Sequence, residues 1–129
     1  MAIEAPLFYP GLQANGDFSS SQYHLVMHTA TAGRVAVCTA ATDKAIGSIY
    51  NLPSAAGDGA DIASLAPGRP FKVVVASAGV SVGDVGTTAT GLLESKTTDK
   101  DWIIGRVDQS WDSGDYAIVW PNGGGYISV

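Results

Sequence analysis

The chain has 129 residues, 46% of them hydrophobic and only 15% Asp, Glu, Lys or Arg, which suits one domain with one real core and excludes a disordered chain. Twelve acids against seven bases leave a formal net charge of -5, the wrong sign for neutralising the phosphates of a nucleic acid. One cysteine and two histidines provide neither a disulfide framework nor the usual ligand set of a structural zinc site.

Residues 1–21 differ from the rest. Pro6 and Pro10 bracket Leu7, Phe8 and Tyr9, and Gly11, Asn15 and Gly16 lead into Asp17. Proline removes a donor and turns the residue before it towards extended geometry, so this segment reads as an extended N-terminal arm ahead of a single β domain over residues 22–129. Ile3, Leu7, Phe8, Leu12 and Phe18 give the arm more apolar surface than it can bury alone; the parent domain or a neighbour must cover it. The start of the chain lacks the basic and apolar runs of an export signal. The longest stretch free of charged residues, Phe18 to Gly33, carries three serines, a glutamine and both histidines, so no membrane span and no membrane partner are expected.

From Gln22 onward, short β-branched and aromatic runs alternate with Gly, Asp, Asn and Pro, the signature of many short strands. Tyr23, Leu25 and Met27 would line one face of the first strand, with His24, Val26 and His28 on the other. Ala32 and Gly33 then turn the chain into Arg34 to Thr39, a hairpin. Further strands are expected at Ala45 to Tyr50, Ala60 to Leu65, Phe71 to Ala76, Val80 to Thr87, Trp102 to Asp108 and Tyr116 to Trp120. Pro121 should end the last of these, with Asn122 to Gly125 as a flexible turn before a final strand, Tyr126 to Val129. No window holds an apolar helical stripe over three turns. The expected fold is all-β, a small β-barrel or β-sandwich.

The residue patterns that carry chemistry do not assemble. His24 and His28 are four apart, but on a strand they stand about 13 Å from each other, too far for one ion. Gly86 to Gly91 has the gap of a phosphate loop, yet Leu92 and Leu93 occupy the places of its Lys and Ser or Thr. The pairs Asp58 and Asp61, Asp99 and Asp101, and Asp112 and Asp115 suit turns that hydrogen-bond their own backbone better than a calcium loop. Cys38 sits among small apolar residues as a buried thiol. No nucleophile elbow is present, so no enzyme activity, cofactor or metal is expected. Aromatic anchors dominate protein interfaces, which makes Leu7, Phe8, Tyr9 and Phe18 the candidates for contact with a partner, while Trp102 and Trp120 are assigned to the core.

The succession Asp43 to Ile49, then Pro53, Ala56, Gly57 and Asp58, then Gly68 and Phe71 to Val75, then Gly79, Val80, Val82, Gly83, Asp84 and Val85, then Thr90 to Leu92, and finally Trp102 to Val107 resembles the head decoration, or capsid cement, proteins of tailed bacteriophages. The opening Phe18 to Tyr23 is similar as well, so the resemblance spans residues 18 to 120. It implies a small β-barrel or β-sandwich that forms dimers or trimers. It also implies binding to the major capsid protein on the outer surface of the expanded head, after assembly in the host cytoplasm. The tryptophan-rich tail and the proline-flanked arm depart from the family's pattern. The alternative reading is a carbohydrate-binding or adhesion module of a virion, with Trp111 between Ser110 and Asp112 as its stacking platform; a small hydrolase or calcium-dependent enzyme on a β scaffold is a more distant one.

Overall fold

Leu25 and Val26 are both fully buried although neighbours on a strand point in opposite directions, so the strand that carries them must have a core on each side. The computed structural model describes residues 4–98 and 101–126 and shows how. Its strands are β1 (Gln13–Ala14), β2 (Leu25–His28), β3 (Arg34–Val37), β4 (Gly47–Ile49), β5 (Ile62–Ala63), β6 (Phe71–Val74), β7 (Gly83–Thr87), β8 (Leu93–Ser95), β9 (Trp102–Val107) and β10 (Tyr116–Tyr126). They form two five-stranded sheets, ordered β1-β3-β2-β4-β5 and β6-β10-β9-β7-β8. Among the described residues there is no helix.

The first sheet grows from the expected hairpin: β2 pairs antiparallel with β3 through Val26↔Val37 and Met27↔Ala36. On its other side β2 pairs with β4, and β4 with β5. The sheet then curls until its edges meet. Gln13 bridges Gly59, the Ala14 amide donates to the Asp58 carbonyl at 2.8 Å, and the Ala60 amide donates to the Leu12 carbonyl at 3.0 Å. Inside the curl lies a core of Ala14, Phe18, Val26, Val35, Ile49, Ala60 and Ile62.

The second sheet curls likewise, with a parallel bridge from Val75 to Leu93 drawing β6 towards β8. Its interior side chains, among them Phe71, Val73, Val85, Ile104 and Val119, merge with Leu25, Ala45 and Ala63 from the outer face of the first sheet into a larger core. The alternation along β2 therefore sends Leu25 and Met27 towards one core and Val26 towards the other. Cross-sheet hydrogen bonds reinforce the packing: Ser48 Oγ donates to the Lys72 carbonyl at 2.7 Å, Trp102 Nε1 to the Ala45 carbonyl at 3.0 Å, and the Val74 amide to the Tyr23 carbonyl at 3.1 Å. In the Ile-Gly motifs, a Cβ on Gly47 would overlap the Ala63 carbonyl, and one on Gly105 the Trp120 carbonyl. Close approach of backbones is why both must be glycine.

Pro121 does not end β10, which runs on to Tyr126. Pairing with β6 stops at Val119, so the proline stands where β10 has β9 alone as a strand neighbour and a missing donor is tolerated. Asn122 to Gly125 is no free turn but a bulge. Pro121 pairs with Gly105 and Gly125 with Ile103, with Gly123 and Gly124 at φ 88° and 85° absorbing the extra residues. Tyr126 closes this strand, and the rest of the expected final strand, residues 127–129, lies outside the described residues.

Candidate functional site

The proline-flanked segment is laid along β5. The Tyr9 amide donates to the Ile62 carbonyl at 3.0 Å and the Ser64 amide to the Leu7 carbonyl at 2.7 Å, with Phe8 bridging Ala63. Its start is clasped from the second sheet. The Ala5 amide donates to the Pro70 carbonyl, Arg69 Nε donates to the Ala5 carbonyl at 2.8 Å, and Glu4 pairs with Lys72 at 3.4 Å. The parent domain thus covers part of the segment's apolar load, Phe18 fully and Tyr9 and Leu12 in part.

The four candidate contact residues separate in this setting. Leu7 and Phe8 remain 49% and 43% exposed. Tyr9 is half-buried, its hydroxyl donating to the Ile46 carbonyl at 3.0 Å. Phe18 is 4% exposed and belongs to the first core, so its ring is withdrawn from any external partner. Beside Leu7 and Phe8 is a shallow apolar hollow of about 400 Å³, closed by Pro10, Leu65, Pro67 and Gly123.

Phe8 also begins a line of aromatic rings across both sheets. Its ring meets Tyr50 edge-on at 5.3 Å, Tyr50 meets Tyr23 at 5.0 Å, and Tyr23 meets Tyr116 at 5.2 Å, all in the favoured T-shaped arrangement. Tyr116 is 54% exposed. Tyr23 is the one non-glycine among the described residues with positive φ, 63°. That conformation costs a side-chain-bearing residue about 1–2 kcal/mol, and it is held because the Tyr23 amide donates to Ile49 while its carbonyl accepts from Val74, tying one sheet to the other. Strain held in place by its surroundings concentrates at functional surfaces. The Tyr50 hydroxyl donates to Glu4 at 2.5 Å; burial first, and then this carboxylate, push its pKa well above the tyrosine range. Tyr23, Tyr50 and Tyr116 escaped the sequence reading because they lie far apart along the chain and nothing in their local context distinguishes them from core residues.

The remaining chemistry-bearing residues have structural duties. Cys38 is buried, and burial pushes its thiol up to about 11. His24 is half-buried and pushed down by burial, against a hydrogen bond with the Thr90 backbone. Asp58 accepts from the Ala55 amide, Asp101 from Thr98 and Asp115 from Asp112, each capping a turn; Asp99 lies outside the described residues. Lys96 is buried with its amine on Glu94 at 2.7 Å and on the Ala41 carbonyl at 3.0 Å. Trp111, the expected stacking platform, is half-buried against the larger core, where its backbone pairs with Val80. Trp102 packs on the same core, and Trp120 is half-buried on β10.

No protein-family model matches the chain, and no curated protein matches it. Among solved structures it is similar to the N base of head fiber gp8.5 in bacteriophage phi29, with a TM-score of 0.57 at 13% sequence identity, over 92% of this chain and 95% of that one. The chain therefore has the all-β fold of a phage head-fibre base.

Proposed function

We propose that the protein is a structural component of a tailed-phage virion that attaches to the outside of the expanded head and bridges major capsid protein subunits. The observation that carries this reading is the paired exposure of Leu7 and Phe8 on a segment clasped to both sheets, at the end of an aromatic line that reaches Tyr116. Large apolar side chains held on a fixed backbone lose little freedom on binding, so most of their burial counts towards affinity. The shared fold with a phage head-fibre base and the resemblance to cement proteins both support it. Binding only to the mature lattice stabilises that lattice by mass action, and many copies, each a dimer or trimer of this chain, multiply a modest contact. No catalysis or cofactor enters this reading.

Co-sedimentation with undecorated expanded heads, with unexpanded proheads as control, tests it. Saturable pelleting with expanded heads, lost when Leu7 and Phe8 are both replaced by Ala, supports the attachment face; pelleting with neither form, or no change in the double variant, overturns it. The likeness to a head-fibre base favours a second reading, an appendage base. Both readings require head binding, but only a cement protein raises the temperature at which heads release their DNA.

A further inference from the structure

Where the two sheets meet on another side there is a hollow of about 400 Å³ lined by Met27, His28, Lys44, Ile46 and Trp102, sharing no residue with the attachment face. Met27 and Ile46 are half-buried and form its apolar part. His28 comes from the end of β2, Lys44 from the approach to β4 and Trp102 from the start of β9, so both sheets contribute. Trp102 is fixed in place, its Nε1 bonded to the Ala45 carbonyl and its ring meeting Tyr126 edge-on at 5.2 Å. Tyr126 itself is 54% exposed.

The charge in this hollow runs against that of the protein. The chain carries a net charge of -5, yet no Asp or Glu lines the hollow and Lys44 stands at it. The Lys44 amine is 5.7 Å from the centre of the Trp102 ring and 5.5 Å from that of Tyr126. Lys72 and Lys96 are each paired with a glutamate; among the described residues Lys44 has no carboxylate partner. It is a cation positioned by two rings and open to an anion.

We propose that this hollow binds an acidic saccharide, a pyranose bearing a carboxylate. The apolar face of such a ring packs on Met27, Ile46 and Trp102, while its carboxylate accepts a charge-assisted hydrogen bond from Lys44 and a ring N–H from His28. One full cation matches one carboxylate better than a polyphosphate, and a carboxylate without a ring would leave the apolar lining of Met27, Ile46 and Trp102 uncovered. Lys44 is already held over the rings, so little ordering remains to be done when the ligand arrives.

The test titrates the whole chain with a glucuronate-containing hexasaccharide and a sialylated trisaccharide, followed by tryptophan fluorescence. A neutral N-acetylglucosamine hexamer and an oligoglutamate peptide serve as comparisons. Saturable binding of an acidic saccharide and weaker binding of both comparisons are expected. Lys44→Gln should weaken the acidic saccharide about tenfold or more, the value of one charged hydrogen bond. Lys44 is exposed, so the variant should melt with the parent protein and still pellet with heads to the same extent. Binding of no acidic saccharide, equal binding of the neutral hexamer or of oligoglutamate, or an unchanged Lys44→Gln variant would each overturn the proposal.

Discussion

Replacing Phe18 with Ala discriminates between a contact residue and a core residue. The ring is 4% exposed and lies in one core cluster with Ala14, Val26, Val35, Ile49, Ala60 and Ile62. Four of these neighbours are β-branched, and those on β2, β3 and β4 belong to strands with partners on both sides, so the wall has little freedom to close over the space left by the ring. The cost should therefore be no less than the middle of the usual range for such truncations, about 4 kcal/mol. For a domain of this length that lowers Tm by about 15 °C and removes a large share of a typical stability of 5–15 kcal/mol. Phe8→Ala, at a position 43% exposed, should cost about 1 kcal/mol or less. Urea unfolding of the two variants measures the difference directly. A Phe18→Ala protein that loses less than about 1 kcal/mol yet no longer pellets with heads would refute the placement of this ring in the core.

Two further outcomes follow from backbone conformation and burial. Tyr23→Gly and Tyr23→Ala both lose the ring contacts, but only glycine adopts φ 63° without penalty, so the Gly variant should be more stable than the Ala variant by about 1 kcal/mol in urea unfolding; the reverse order would show that the left-handed backbone carries no cost. Cys38 should resist iodoacetamide at pH 8 in the folded protein and react once urea exposes it, since burial raises its pKa from 9.0 to about 11. The unfolded thiol ionises first, so this contribution to stability is complete below pH 9 and is lost as the pH rises towards 11. Rapid labelling under native conditions would contradict the burial.

The all-β class was legible from residue order alone, because Gly, Pro, Asn and Asp punctuate β-branched runs at strand length and local chemistry decides where a chain can turn. The same local signals located the β2–β3 hairpin and most other strands. They failed at Pro121, whose missing donor is harmless only because β6 has already left the side of β10, a fact of sheet order and not of local sequence. They also passed over β1 and β8, which are two and three residues long and exist because larger strands present edges for them to join.

For the candidate site the division is sharper. Composition marked the proline-flanked segment as an apolar load in need of cover, since hydrophobic area can be counted without a fold. Which of its side chains stay exposed was set by the pairing along β5 and the curl of the first sheet, which face Leu7 and Phe8 outward and draw Phe18 inward. The aromatic line from Phe8 to Tyr116 and the hollow at Lys44 join residues separated by tens of positions in the chain. Contacts of that range arise from pairing of distant strands within a sheet and from packing of one sheet on the other, so no local pattern announces them.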